Sequence, residues 1–137
     1  MYLKIEDYRS VVGLHELNTI QQFDDDVRVK AEKGAIEEIS AFLRPYYDTV
    51  AIFATVGDAR NEKINMLVAD ITLYHLATWL PGKMGLEIRI ERYEKAIKFL
   101  NLVSAGKVVL DIPLATDDDG EAQGMKYGGE QKNEYSW

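Results

Sequence analysis

Cysteine is absent from the 137 residues of the chain, which removes disulfide scaffolds, thiol catalysis and thiolate metal sites together. Histidine occurs twice, as His15 and His75, too few for a zinc centre that needs several imidazoles from one chain. Positive charge is also short. Sixteen Lys and Arg stand against 23 Asp and Glu, a formal charge of -7 with an isoelectric point near 4.8. Such a chain has no net attraction to phosphate backbones or anionic lipid, which argues against a dedicated nucleic-acid or membrane-surface binder. Long apolar runs are missing as well: the stretch from Met66 to Leu80 is broken by Asp70 and His75 and is too short to span a bilayer. The start, Met1 to Asp7, turns acidic before any run of signal-peptide length. There is no glycine-rich phosphate loop, serine elbow or HExxH motif. What remains fits a soluble, cytosol-made protein. With 47% hydrophobic and 28% charged residues, the chain has enough apolar side chain for the core of one domain, and wholesale disorder is excluded.

Three stretches carry helical periodicity. The first runs from about Val27 to Arg44, behind Asp24, Asp25 and Asp26 as N-cap candidates whose charge complements the helix dipole. Ile36, Ile39 and Leu43, with Tyr46 or Tyr47, make its apolar stripe, Gly34 weakens it slightly, and Pro45 ends it near Arg44. The second runs from about Glu62 to Leu80, capped by Asp58 or Asn61 and stopped at Pro81 and Gly82. It is apolar nearly all round and must be enclosed by neighbours, from its own chain or from other subunits. The third runs from about Glu87 to Ser104, with Ile90, Tyr93, Ala96, Ile97, Leu100 and Val103 facing inward and a C-cap at Ala105 and Gly106. At about 1.5 Å per residue the second and third are each on the order of 27 Å long, matched for side-by-side packing. Ile5–Val12 and Leu14–Gln22 read as short helices split at Gly13, and Val50–Phe53 as a packed loop or brief extended segment.

Beyond Gly106 the composition changes. Lys107 to Leu114 is short and apolar, reads as an extended arm and is stopped by Pro113. From Lys107 onward there are seven acidic residues and three basic ones, yet the end carries Tyr127, Tyr135 and Trp137. A tail of this composition does not fold alone, and a merely solubilising one has no use for aromatic residues. The expected organisation is all-α: a small bundle of three long helices plus one or two short N-terminal helices over residues 1–114, followed by a flexible acidic and aromatic C-terminal arm over residues 115–137 that orders on a partner.

Candidate chemistry is sparse. Asp117, Asp118, Asp119, Gly120 and Glu121 suggest a calcium loop, but the alternating ligands of an EF-hand are missing and Gly128 stands where its bidentate Glu belongs. A solvated acidic loop explains them better, and helix capping explains Asp24 to Asp26. Asp70, inside the most apolar helix, is either a catalytic acid or base with a raised pKa or half of a buried structural pair with Arg92 or Arg89. The pair is preferred, because no second acid or nucleophile lies at a spacing that completes a site. His75 follows Asp70 by five residues, which is not the i,i+4 spacing of a metal pair, and reads as a hydrogen-bonded core or interface histidine.

Several stretches, taken in order and spacing, resemble the Mu-like neck proteins of phages and prophages, the connectors that join head to tail. They are Tyr2-Leu3-Lys4-Ile5-Glu6-Asp7-Tyr8, Ile39-Ser40-Ala41-Phe42-Leu43-Arg44-Pro45-Tyr46-Tyr47-Asp48, Gly57-Asp58-Ala59-Arg60-Asn61, and Ala69-Asp70-Ile71-Thr72-Leu73-Tyr74-His75-Leu76. Further on come Ile90-Glu91-Arg92-Tyr93, Ala96-Ile97-Lys98-Phe99-Leu100 and Val103-Ser104-Ala105-Gly106-Lys107. The likeness covers about residues 2–114, and Met125-Lys126-Tyr127-Gly128 is similar to some tails of that family. The resemblance implies a virion protein that forms a ring of copies at the portal side of the capsid and touches portal and tail-completion proteins. It implies DNA passing through without specific binding, and residence in the bacterial cytoplasm and then the virion. It implies no catalysis, cofactor, membrane or small-molecule substrate. Aromatic anchors carry interface energy, so Tyr46, Tyr47, Tyr127, Tyr135 and Trp137 are the expected contacts. Two other classes of function stay open: a small helical adaptor or regulator with no virion role, and a carboxylate metal enzyme centred on Asp70.

Overall fold

The computed structural model describes residues 2–13, 18–19, 25–79 and 86–116. The Asp24 cap, most of Leu14–Gln22, the Pro81–Gly82 stop and everything after Thr116 lie outside them. The fold is all-α. A 3-10 helix, Ile5–Ser10, precedes three long helices, α1 (Asp25–Leu43), α3 (Glu62–Trp79) and α4 (Leu86–Ser104), with a short α2 (Thr49–Ala54) and a 3-10 turn, Gly57–Ala59, between the first two.

Helix α3 is the axle of the molecule. Ile64, Leu67, Val68, Ala69, Ile71, Leu73, Leu76 and Ala77 are all buried, packed between α1 and α4 with the 3-10 helix Ile5–Ser10 against it. Its apolar circumference is thus enclosed by its own chain and needs no second subunit. Asn61 is its cap, the side-chain Oδ1 accepting from the Ile64 N–H at 3.1 Å.

Helix α1 turns a different stripe inward from the one expected. Ile39 and Leu43 are buried, but Ile36 is only half-buried, and the face runs back through Ala35, Glu32, Ala31 and Arg28. The small Ala31 and Ala35 let α1 approach its neighbours closely. The helix ends at Leu43, before Pro45, and the Tyr46 and Tyr47 N–H groups both bond to the Leu43 carbonyl. On α4 the buried line is Arg89, Ala96, Leu100 and Val103, while Ile90 is 38% exposed and not inward. Gly106, at φ +76°, closes α4: its N–H bonds to the Val103 carbonyl and that of Lys107 to Leu102, a Schellman ending that requires the left-handed conformation.

Val50–Phe53 is helix, not loop or extended chain. Asp48 caps it, accepting from the Ala51 N–H at 3.1 Å, and Ile52 is its one buried residue while Val50 is 81% exposed. Four apolar residues in a row have no period, so nothing in the run itself separates the two conformations.

After α4 the chain runs extended along its own bundle. Val108, Leu110, Ile112 and Leu114 lean on the core while Val109 is 81% exposed, the alternation of a strand. Leu110 donates its N–H to the Tyr47 hydroxyl at 3.0 Å, and the Asp111 carbonyl accepts from Asn61 Nδ2 at 3.3 Å. Asp48 N–H reaches the Pro113 carbonyl and Ala115 N–H the Tyr46 carbonyl, around an isolated antiparallel bridge between Tyr47 and Leu114.

Candidate interaction surface

Asp70 and Arg92 are brought together. Arg92 donates from Nε to Oδ1 at 2.6 Å and from Nη2 to Oδ2 at 3.2 Å, so both carboxylate oxygens are engaged by one guanidinium fork. Burial pushes the Asp70 carboxyl upward, and the Arg92 hydrogen bonds and the nearby Arg89 charge pull against it without cancelling it. Arg89 itself is buried and donates to the Val11 carbonyl at 3.4 Å, tying α4 to the N-terminal segment. The fork on Asp70 is the arrangement of a structural pair.

His75 sits in a half-buried cluster that crosses three helices. Glu38 of α1 accepts from His75 Nε2 at 2.7 Å and from the Tyr93 hydroxyl at 3.0 Å. Tyr93 stacks on Tyr74 with ring centroids 3.9 Å apart, and Trp79, 47% exposed, stacks beside His75 at 6.2 Å. Burial, with the Glu38 carboxylate as acceptor and neighbouring charge, pushes the Tyr93 phenol up to about 12. The cluster pins α1, α3 and α4 together and leaves one indole at the surface.

The expected contact residues separate. Tyr46 is half-buried beside the arm, its carbonyl engaged by Ala115. Tyr47 is 5% exposed, with its hydroxyl accepting from Leu110. Expected as an anchor for another molecule, it instead anchors the chain's own arm, because the extended segment from Lys107 covers it. Tyr127, Tyr135 and Trp137, with the acidic stretch Asp117–Asp119, lie outside the described residues, as does His15. Among the described residues no group of three or more His, Asp or Glu gathers in a way that could hold a metal.

A second built region, not expected from the sequence, lies at the N-terminal end. Arg60 forks onto Asp7 at 2.8 and 3.2 Å and also donates to the carbonyls of Tyr2 and Gly57, both at 2.8 Å. Burial raises the Asp7 carboxyl, but the hydrogen bonds from Arg60 and from the Lys4 N–H outweigh it and hold the group below its usual value. Glu32 of α1, 1% exposed, accepts from the Leu3 N–H at 2.8 Å, and its carboxyl is raised by burial with the backbone donors of Leu3 and Tyr2 opposing. Together these clamp the strap Tyr2–Lys4 across the bundle. Between strap, α1 and the α2–α3 connection lies a groove of about 410 Å³, with Tyr2, Val29, Ile36, Phe53 and Val56 as its apolar lining and Lys4 and Lys33 at its edge. A signal for Glu32 existed in the sequence: it shares one helical row with Ala35, Ile39 and Leu43. The reach of Arg60 across 53 residues to Asp7 has no local signature.

These features define a small all-helical chain whose core is closed within one copy and whose extended C-terminal arm leaves along its flank. The chain belongs to a phage protein family: the model of the family described as Bacteriophage Mu, Gp36 matches residues 2–127. Neither the curated proteins nor the solved structures yield a match. Among the described residues no helix is long and apolar enough to cross a membrane.

Proposed function

We propose that the protein is a structural component of a phage or prophage particle, one of a ring of copies at the head–tail interface that joins the portal to the tail. The observation that carries this reading is the family match over residues 2–127, taken with the likeness to neck proteins of Tyr2–Tyr8, Ile39–Asp48 and Ile90–Leu100. Physical features agree with it. The deeply placed acid, Asp70, is held by Arg92, so its role is to lock α3 to α4 and not to move protons. The charge of -7 suits a channel through which DNA slides, since attraction would retain the duplex. In this reading the protein is not an enzyme, carries no cofactor and no small-molecule substrate, contacts its own copies and the portal and tail-completion proteins, and passes from the host cytoplasm into the virion.

A second reading, a small adaptor or regulator that binds one partner protein, is favoured by one observation: α3 is enclosed by its own chain, so a single copy is a finished core. Gene neighbourhood separates the two, since portal, capsid and tail genes alongside belong to the first. The direct test is electron microscopy of the purified full chain at high concentration. Closed rings support the connector, and a chain that stays monomeric at every concentration and on added portal supports the adaptor.

A further inference from the structure

We propose that the groove between the N-terminal strap, α1 and the α2–α3 connection is the seat for the acidic, aromatic segment of a neighbouring copy, with Tyr135 and Trp137 as its anchors. This rests on the ring reading above and names the surface that would take up the arm.

The groove offers what such a segment needs. Tyr2, Val29, Ile36, Phe53 and Val56 supply an apolar lining, with Val56 79% exposed; the one carboxylate in the lining, Glu32, is 1% exposed and occupied by the Leu3 N–H, and the volume of about 410 Å³ is that of a small ligand pocket. Its edge is cationic. Lys4 and Lys33 are exposed, and neither has an ion-pair partner among the described residues. The third cation, Arg60, is already committed to Asp7, so the two lysines carry the attraction.

The segment after Thr116 is the complement. Residues 117–137 hold six acidic residues, Asp117, Asp118, Asp119, Glu121, Glu130 and Glu134, against Lys126 and Lys132. In extended form the run Glu134-Tyr135-Ser136-Trp137 places both rings on one face, about 7 Å apart, with Glu134 turned to the other side. Aromatic side chains bring large contact area at low entropic cost and are the usual interface anchors, while opposite charge at the edge speeds encounter and sets register. Reach is sufficient: the roughly 19 residues from Thr116 to Tyr135 span on the order of 60 Å when extended.

The ring reading selects the neighbour over the same copy, and the described arm does not itself run to the groove. Asp111–Pro113 of the arm line a separate small hollow with Thr55 and Arg60, which also line the groove. The arm then moves off to Tyr46, where Ala115 bonds beyond the end of α1. Val29 and Ile36 line the groove from earlier in that helix. The described arm thus ends at Thr116, beside Tyr46 and not at the groove.

The chain has two tryptophans, so a Trp79→Phe background leaves Trp137 as the single reporter in the full chain. Its emission maximum is recorded across a concentration series, alone and combined with Val56→Glu or Lys33→Glu, with far-UV circular dichroism confirming the helical fold of each variant. The expected result is a blue shift that grows with concentration and needs about tenfold more protein when Val56→Glu is present. A blue shift independent of concentration means docking within one copy and overturns the neighbour assignment. Emission that stays unshifted, or shifts identically with Val56→Glu and Lys33→Glu, overturns the groove. Electron microscopy of the same samples separates the two levels: rings with a Val56-indifferent Trp137 reject the groove and keep the ring, whereas a Val56-sensitive, concentration-dependent shift without rings keeps the groove and rejects the ring.

Discussion

Three carboxylates show how the bundle is tensioned, and they act in opposite senses with pH. Asp70 is nearly buried while Arg92 keeps about a third of its side chain in solvent, so removing the arginine leaves a nearly buried charge without its partner. Arg92→Ala is expected to lower unfolding stability by about 3 kcal/mol, the lower end of the range for a broken buried pair because Arg92 is partly solvated; urea unfolding at pH 7 measures it, and a loss under about 1 kcal/mol would place the pair among surface bridges. Glu32 is raised above its ordinary value. Its contribution is therefore fully present below about pH 4.5 and is lost as pH rises through the folded value. Asp7 is lowered, so its contribution is present above about pH 3.8 and is lost as pH falls through the folded value. Stability is expected to rise as pH is brought down from 7 toward 4.5 and then to fall as Asp7 is protonated. Glu32→Gln, which keeps an acceptor for Leu3, is expected to flatten the rise and leave the acid limb; unfolding midpoints at three pH values decide, and an unchanged rise would assign it to Asp70 alone. The Asp70 pair was legible because one acid stood in the most apolar helix, with an Arg-bearing helix matched to it in length. The burial of Glu32 was signalled by its helical row, but its partner Leu3 and the Arg60 partner of Asp7 were not, since 29 and 53 residues separate them and no local pattern encodes that distance.

Among the elements, the long helices declare themselves and the short ones do not. α1, α3 and α4 lie within two residues of where periodicity and caps put them, because many turns of one pattern add up. α2 was missed because its start signal, Asp48, follows Tyr46 and Tyr47 in a run that reads as a continuing stripe. Ile90 was placed inward wrongly because Arg89 takes that position and sends its guanidinium to Val11, a burial no hydrophobicity pattern anticipates. Asn61 joins two elements: its Oδ1 caps α3 and its Nδ2 holds the arm at Asp111. Asn61→Ala is expected to cost about 1 kcal/mol from the lost cap and to raise amide exchange in the arm. Asn61→Ser restores the cap without the reach. Hydrogen exchange distinguishes them: if the arm stays protected in both, the Asp111 contact is not what holds it.

For the molecule as a whole, one copy closes its own core and then extends an arm, leaving a cationic, apolar groove at one end and an acidic, aromatic sequence beyond Thr116. That division agrees with the proposed ring of copies, and the likeness to the phage family runs over residues 2–127. The enclosure of α3 was written in the sequence, but whether its cover came from the same copy or from others was not, because apolar residues specify burial and not the identity of what covers them. The most direct test is to delete the gene from a phage that carries it and image the lysate by electron microscopy. A connector at the head–tail interface predicts DNA-filled heads and separate finished tails, rejoined when the full chain is supplied; complete particles, or heads that never fill, would contradict it.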